Sequence, residues 1–291
     1  MNLNFLVWLI LSLIWGSTWL VIRIGLGDLP PFTFAGMRFV IASVPLLALV
    51  AIRRPKVPRD KGAWALMLGT GFLTITLNYA LIFWAEQFIS SGLSAILYST
   101  MPLWGQVFAH LRLPSERLTA PRLVGVLIGV AGVFVIFSSE IAVEGALGML
   151  GTAAVLVAAM LTAYANVEIK KYGKDIPSLV MSAVQISFGF IPLVALGLVH
   201  EGNPVALHWT LTAKLSLLYL AVVGSSVAFG LYYWLIHRIP VTRIQLIPLF
   251  STLLAVLLGA VVLHEAVTWR TAVGGVAILG GLGIAVRAGQ Q

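Results

Sequence analysis

Residues 23–30 read Arg-Ile-Gly-Leu-Gly-Asp-Leu-Pro, and residues 170–177, which lie 147 positions further along, read Lys-Lys-Tyr-Gly-Lys-Asp-Ile-Pro. Both stretches have a basic residue first, an aspartate sixth and a proline eighth. At the same shift, Pro45 is matched by Pro192. The matches keep their order along the chain, so the sequence predicts two related halves.

The composition indicates an integral membrane protein. Hydrophobic residues make up 60% of the chain and charged residues 10%, whereas soluble domains average ~45–50% apolar and about 25% charged residues. The apolar stretches do not alternate with polar residues, which favours helices over strands. Ten of them approach the length that a helix needs to cross a bilayer, and the fifth is short: residues 5–22, 32–52, 63–85, 91–111, 122–137, 145–168, 177–199, 212–236, 242–262 and 270–287.

A second correspondence, at a shift of 149, supports the duplication by placing residues 115–119 on residues 264–268. Each half then holds five spans, and an odd number of spans gives the two copies opposite orientations, as in many secondary transporters. We expect an all-α membrane protein of ten transmembrane helices around a central cavity. Its first five-helix repeat covers residues 1–140, and a second, inverted repeat covers residues 141–291.

The distribution of basic residues predicts the orientation. The even-numbered loops and the C-terminal tail carry 14 Lys and Arg residues, and the odd-numbered loops carry 3. Basic loops stay on the cytoplasmic side, so we expect both termini in the cytoplasm of a bacterial cell, with the chain in the inner membrane. The first segment has no basic n-region and no small-residue cleavage site, so we expect it to be retained. The net charge of +8 lies in these loops, and no nucleic-acid partner is expected.

The charged residues also limit the chemistry. All ten acids and all five histidines lie in or beside predicted loops, and there is no cysteine. We therefore expect no catalytic residue, no metal, no cofactor and no proton relay through a central acid, and we do not expect an enzyme. Arg38 is the one basic residue within a span. It either tethers its helix to the interface or to a carbonyl, or binds a substrate carboxylate.

Polar side chains recur on five of the spans, and they are costly at bilayer depth unless they face a bundle interior or a wet cavity. Thr74 and Asn78 are four residues apart, as are Ser94 and Tyr98, so each pair shares one helix face. Pro102 in the fourth span and Pro248 in the ninth remove a helix hydrogen bond, which is tolerated where backbone lines a cavity. Taken singly, such residues are more often contacts between helices; as a set they favour a polar cavity.

Several short motifs resemble the drug/metabolite transporter superfamily, and in particular its ten-span EamA-type family. They are Trp15-Gly16-Ser17-Thr18-Trp19, Pro30-Pro31 followed by Arg38-Phe39, Asn78-Tyr79-Ala80-Leu81, Pro102, and Glu116-Arg117-Leu118 before a glycine-rich fifth span. The resemblance implies alternating access by an inverted-repeat bundle. The branch that fits best is the exporters of amino acids, including aromatic ones. Trp15 is matched by Thr162 and Arg38 by Gln185, so the site need not be symmetric.

The resulting functional hypothesis is a transporter that exports amino acids or similar small amphipathic metabolites across the inner membrane. It would work by facilitated diffusion or weak coupling, as a monomer or weak homodimer in the lipid bilayer. An exporter of multiple drugs or cationic compounds is the alternative. The predicted substrate-binding residues are Asn78, Tyr79, Tyr98, Tyr164, Tyr232 and Gln245 as hydrogen-bonding groups, and Trp15, Trp19, Met101 and Trp104 as apolar walls.

Overall fold

The computed structural model describes residues 3–113, 119–143, 145–236, 238 and 247–287, and within these ranges all regular secondary structure is helical. The α-helices are α1 (Leu3–Gly25), α2 (Pro31–Arg53), α3 (Lys61–Gly71), α4 (Asn78–Ala85), α5 (Ser91–Tyr98), α6 (Met101–Arg112), α7 (Ala120–Val143), α8 (Gly145–Tyr172), α9 (Ser178–His200), α10 (Leu211–Leu218), α11 (Ala228–Ile236), α12 (Ile247–Val262) and α13 (Trp269–Arg287). A first π-helical segment (Phe72–Leu77) joins α3 to α4, and a second (Tyr219–Val227) joins α10 to α11. Pro204–Ala206 form a short 3₁₀ helix.

In this described part of the chain, six helical segments are long and apolar enough to cross a membrane, and shorter apolar helices accompany them. The protein is therefore a multi-pass membrane protein. The six are Leu3–Gly25, Pro31–Arg53, Lys61–Ala85, Gly145–Tyr172, Ser178–His200 and Leu211–Tyr232.

The fourth predicted segment is two helices, not one. The chain leaves α5 at Tyr98 and enters α6 at Met101, because Pro102 has no N–H to donate to the carbonyl four residues before it. The Ser99 hydroxyl donates to the Ile96 carbonyl at 2.6 Å, and the Thr100 hydroxyl donates to the Leu97 carbonyl at 2.7 Å. Both hydroxyl groups thus bond back to carbonyls in the last turn of α5.

A further expectation differs from the structure. The fifth predicted segment, 122–137, is part of a longer helix, Ala120–Val143. Pro248 is the second residue of the described helix α12, and the residue four positions before it lies outside the described residues, so its effect on the helix stays a prediction. Residues 242–246 of the ninth predicted segment lie outside the described residues.

Helices α2 and α9 cross closely and each contains a proline, Pro45 and Pro192. A Cβ atom added to Gly36 would lie 2.9 Å from the Val194 side chain, so glycine at this position is what allows the close approach. The largest buried cluster forms around this crossing and includes Phe34, Phe39, Phe83 and Ile186.

Hydroxyl groups from the two π-helical segments approach the carbonyls beside these prolines. Thr76 of the first segment donates to the carbonyl of Gly189, three residues before Pro192, at 2.7 Å. Ser226 of the second segment lies 3.1 Å from the Ala221 carbonyl of its own segment and 3.4 Å from the carbonyl of Ala42, three residues before Pro45. A proline disturbs the helix hydrogen bonds around these carbonyls, and at each of them a hydroxyl from another helix lies close.

Helices α7 and α13 pack along each other. A Cβ atom added to Gly132 would lie 2.6 Å from the carbonyl oxygen of Gly274, and one added to Gly281 would collide with the carbonyl of Gly125. Glycines on both helices therefore allow a close approach of the two backbones within one chain.

Replacing Gly281 with alanine is expected to lower the melting temperature, because the added methyl group meets backbone atoms that cannot move aside. Overpacking of this kind costs typically ~1–3 kcal/mol. The matched control is Gly283→Ala in the same helix, where nothing lies within 4 Å of the added atom. Thermal unfolding of both variants in detergent is the measurement, and equal melting temperatures would contradict the packing argument.

Candidate functional site

A hydrogen-bonded chain of three polar side chains links three helices. The hydroxyl of Tyr98, on α5, donates to the Thr162 hydroxyl of α8 at 3.1 Å, and that hydroxyl donates to the Asn78 side-chain oxygen of α4 at 3.1 Å. Asn78 is buried and directly follows the first π-helical segment. We call these residues the polar chain. Its members come from positions 64 and 84 residues apart, so only the tertiary fold brings them together.

Aromatic rings surround the polar chain. The ring of Trp19 lies against Tyr98 with centroids 5.5 Å apart, and Tyr79 meets Phe39 edge-on at 4.5 Å. Trp19, Tyr79 and Tyr98 all pack on the same hydrophobic cluster. Four of the predicted site residues, Asn78, Tyr79, Tyr98 and Trp19, therefore share one region between α1, α4 and α5.

The other predicted site residues make contacts outside this region. Trp15 is one helical turn from Trp19, but its ring lies against Tyr232, with centroids 5.6 Å apart. Tyr164 meets Phe108 edge-on at 5.7 Å. The Trp104 indole donates to the Thr100 hydroxyl at 3.2 Å, and Met101 is half-buried in the first turn of α6. Gln245 lies outside the described residues.

Arg38 borders the same region. Only 3% of its surface is exposed. Its Nε donates to the Ser225 hydroxyl of the second π-helical segment at 3.1 Å, and its guanidinium carbon lies 5.0 Å from the centroid of the Tyr79 ring. The sequence indicated both polar residues but gave no sign of their contact, because they are 187 positions apart.

Glu86 was missed by the sequence analysis, which placed it in a loop. It lies one residue beyond the apolar segment Lys61–Ala85, yet it is completely buried, and neither carboxylate oxygen has a hydrogen-bond partner among the described residues. Burial raises the pKa of Glu86 well above its ordinary value; nearby Arg23 opposes this effect and Glu265 adds to it. Arg23 is also bonded to the backbone carbonyl of Glu86. Nothing in the local sequence marks this burial, since it depends on the helices that cover the turn.

Two carboxylates cap helices that belong to distant parts of the chain. Glu265 accepts hydrogen bonds from the N–H of Ser91 at 2.9 Å and of Gly92 at 3.1 Å. Glu201 accepts from two N–H groups in the first turn of α2, at 2.6 and 2.8 Å. The N-termini of α5 and α2 have unpaired N–H groups and a partial positive charge, so these carboxylates hold α5 to the loop after α12 and α2 to the end of α9. We call this the capped end of the bundle.

The opposite end has an ion pair between α6 and α8. Arg112 donates to both carboxylate oxygens of Glu168, at 2.7 and 3.1 Å. A surface cavity of about 530 Å³ lies near this end, and a groove of about 320 Å³ runs beside α1 and α12. Neither is lined by a predicted site residue. The cavity is lined by Pro58, Asp60, Gly62, Ala63, Leu66, Tyr172, Asp175 and Ile176.

Comparison with known proteins identifies the family. The sequence matches the EamA-like transporter family over residues 3–138 and again over residues 149–287. The chain belongs to the EamA-like transporter family. It is 30% identical to the uncharacterized transporter YoaV of Bacillus subtilis (strain 168), over 93% of this chain and 92% of that protein.

This EamA-like transporter is also 30% identical to the "Probable amino-acid metabolite efflux pump" of Escherichia coli (strain K12), over 96% of this chain and 93% of that protein. A solved crystal structure covers 99% of this chain and 97% of its own, with a TM-score of 0.69 and 20% identity. That likeness shows a shared fold. The resemblance inferred from the short sequence motifs is confirmed, and the protein is a membrane transporter.

Replacing Glu86 with glutamine is expected to stabilise the transporter increasingly as the pH rises. The carboxyl pKa is higher in the folded protein than in the unfolded chain, where it is close to 4.5. Below the pKa of the unfolded chain, Glu86 is protonated in both the folded and the unfolded protein. Above it, Glu86 ionises first in the unfolded chain, which lowers the free energy of the unfolded state, so the wild type loses stability. The measurement is the melting temperature in detergent from ~pH 5 to ~pH 8.

The control for this experiment is Asp175→Asn, which removes an exposed carboxylate. That change is expected to leave the pH dependence of the melting temperature close to that of the wild type. If Glu86→Gln and the wild type show parallel pH profiles, burial does not raise the pKa of the Glu86 carboxyl group as described above.

Proposed function

We propose that this EamA-like transporter exports amino acids, with aromatic and apolar ones among them, or similar small amphipathic metabolites, by alternating access. The observation that carries the proposal is the polar chain with Trp19 and Tyr79 beside it. Hydrogen-bonding groups that converge inside an otherwise apolar bundle suit a solute with polar ends, and the aromatic rings suit an apolar side chain. The E. coli relative named as an amino-acid metabolite efflux pump agrees with this solute class.

The proposed architecture is ten spans in two inverted five-helix repeats, residues 1–140 and 141–291. Features 147 to 150 positions apart support it: the two π-helical segments, the prolines inside α2 and α9, and the hydroxyl groups that approach the carbonyls of Gly189 and Ala42. Each hydroxyl comes from one half of the chain, and the proline whose neighbouring carbonyl it approaches lies in the other half. An exchange of contacts of this kind is expected where two related units face each other.

The proposed setting is the bacterial inner membrane, with both termini in the cytoplasm. Because the even-numbered loops carry most of the basic residues, the capped end of the bundle would face outward and the Arg112–Glu168 pair inward. Alternating access would then open and close these two ends in turn. The carboxylates of Glu265 and Glu201 are suited to hold the outer end closed.

Export of cationic compounds is a second candidate function, and Glu86 is the observation that favours it. A buried carboxylate without a hydrogen-bond partner is a counter-charge of the kind that a lipophilic cation needs. Arg23 and Arg38 are close enough to favour the ionised form of Glu86, and their positive charges would repel a cation. We therefore rank this function below amino-acid export.

The role of the polar chain can be tested with Thr162→Val, which keeps the shape of the side chain but removes both hydrogen bonds. Leaving buried polar partners unpaired costs ~1–3 kcal/mol, which corresponds to a roughly 5- to 150-fold loss. We expect a loss of this size in the exchange of labelled phenylalanine by proteoliposomes. Thr152→Val is the matched control, because Thr152 lies on the same helix, is buried and has no hydrogen-bond partner.

The outcomes of this assay separate the candidate functions. Normal exchange by Thr162→Val would show that the polar chain does not contact the solute. If the wild type moves no amino acid but moves cationic dyes, the second candidate function replaces the first. A strict requirement for a proton gradient would contradict facilitated diffusion.

A further inference from the structure

Arg38 is a buried cation whose hydrogen-bonding capacity is largely unused. A guanidinium group has five N–H donors, and the hydrogen bond that Arg38 makes within the described part of the chain runs from Nε to the hydroxyl of Ser225. Nη1 is buried and has no hydrogen-bond partner among these residues. Among the described residues, no carboxylate lies within 4.0 Å of this guanidinium. The charge is therefore held inside the protein without an anion in contact with it.

The contacts around Arg38 offset its burial only in part. The rings of Tyr79 and Phe39 lie 5.0 and 5.2 Å from the guanidinium carbon, and the faces of aromatic rings attract cations. Glu86 is the buried carboxyl group whose charge acts on Arg38, but its oxygens make no hydrogen bond. Burial of an unpaired charge is expensive, so a group that supplies two acceptor oxygens would be strongly favoured at this position.

The packing of α2 does not itself require a charge at this position. Gln185, 147 residues further along, occupies the corresponding position on α9 and donates from its amide nitrogen to the Thr70 hydroxyl at 2.9 Å. A neutral amide with one hydrogen bond to a neighbouring helix is sufficient there. Arg38 makes the same kind of single bond to Ser225. The contact between helices therefore does not use the additional donors of Arg38 or its charge.

One edge of the guanidinium faces a glycine. A Cβ atom added to Gly224 would lie 3.7 Å from Nη2 of Arg38 and 3.0 Å from the Thr18 side chain, so no side chain separates the Gly224 backbone from this edge of the guanidinium. Tyr79, whose ring lies 5.0 Å from the guanidinium carbon, packs on the same hydrophobic cluster as Tyr98 of the polar chain. The cation thus lies in the same region as hydrogen-bonding groups that could bind an amine, and as aromatic rings that could bind an apolar side chain.

We propose that Arg38 binds the carboxylate of the transported solute. Two parallel N–H donors of a guanidinium match the two oxygens of a carboxylate, and such charge-assisted pairs are strong and directional. This inference rests on the proposed function and restricts it: the solutes are amino acids or other monocarboxylates, and their amides, esters and amines are excluded. Arg38 is then a specificity-determining residue.

The test compares solutes that differ only at the carboxyl group. Purified protein in proteoliposomes exchanges labelled phenylalanine, with unlabelled phenylalanine, phenylalaninamide and phenethylamine as competitors. The wild type is expected to prefer phenylalanine over the other two by about tenfold or more, as expected for a charge-assisted pair. Arg38→Gln, which copies the residue at position 185, is expected to abolish this preference, and Arg38→Lys to retain part of it.

Two controls separate binding from structure. Arg53→Gln makes the same change at an exposed position of the same helix and should leave the preference unchanged. Gln185→Leu removes the corresponding contact between helices on α9 and should lower thermal stability without altering the preference. Size-exclusion profiles and melting temperatures establish that each variant is folded before transport is compared.

Each outcome of the transport assay tests either the assignment of Arg38 or the proposed function. An unchanged preference in folded Arg38→Gln would overturn the assignment, and so would a wild type that exchanges phenylalanine and its amide equally well; amino-acid export would survive both results. Misfolding of both Arg38 variants would make Arg38 a structural tether and would also overturn the proposal. If the wild type exchanges no amino acid at all, the proposed function itself fails.

Discussion

The hydrogen bonds that replace those lost at the helix prolines are the constraint on which the rest of the bundle depends. A carbonyl freed by Pro45 or Pro192 is costly inside a bilayer, where no water can satisfy it. Thr76 reaches the carbonyl beside one proline, and Ser226 lies near the carbonyl beside the other. Both hydroxyl groups come from π-helical segments, so the position of each kinked helix is tied to an irregular helix in the other half of the chain.

This arrangement places the candidate site. Asn78 follows the first π-helical segment directly, and Ser225 lies within the second. The same irregular segments that place Thr76 and Ser226 beside the proline carbonyls therefore also present Asn78 to Thr162 and Ser225 to Arg38. Irregular helix within a membrane is tolerated only where it is buried in protein or lines a cavity, and here it borders the polar and aromatic groups that suit a solute.

The sequence alone was sufficient for the class of protein and for most helix positions, because apolar stretches of spanning length are a local property of the chain. It missed the break at Ser99–Thr100 as a helix boundary. Proline signals a lost hydrogen bond, but whether the helix starts, kinks or stops there depends on which neighbours satisfy the backbone.

The sequence predicted the candidate site less completely than it predicted the helices. Composition, hydropathy and the repeated turn at residues 23–30 and 170–177 indicated a helical membrane protein of two related halves, and the short motifs indicated the transporter family, since each signal is read from short stretches of sequence. Tertiary structure decided which polar residues meet. It joined Tyr98 to Thr162 and Arg38 to Ser225, and it buried Glu86, which looked like a loop residue. Such contacts link positions 64 or more residues apart, and the burial of a side chain depends on whatever the fold places over it.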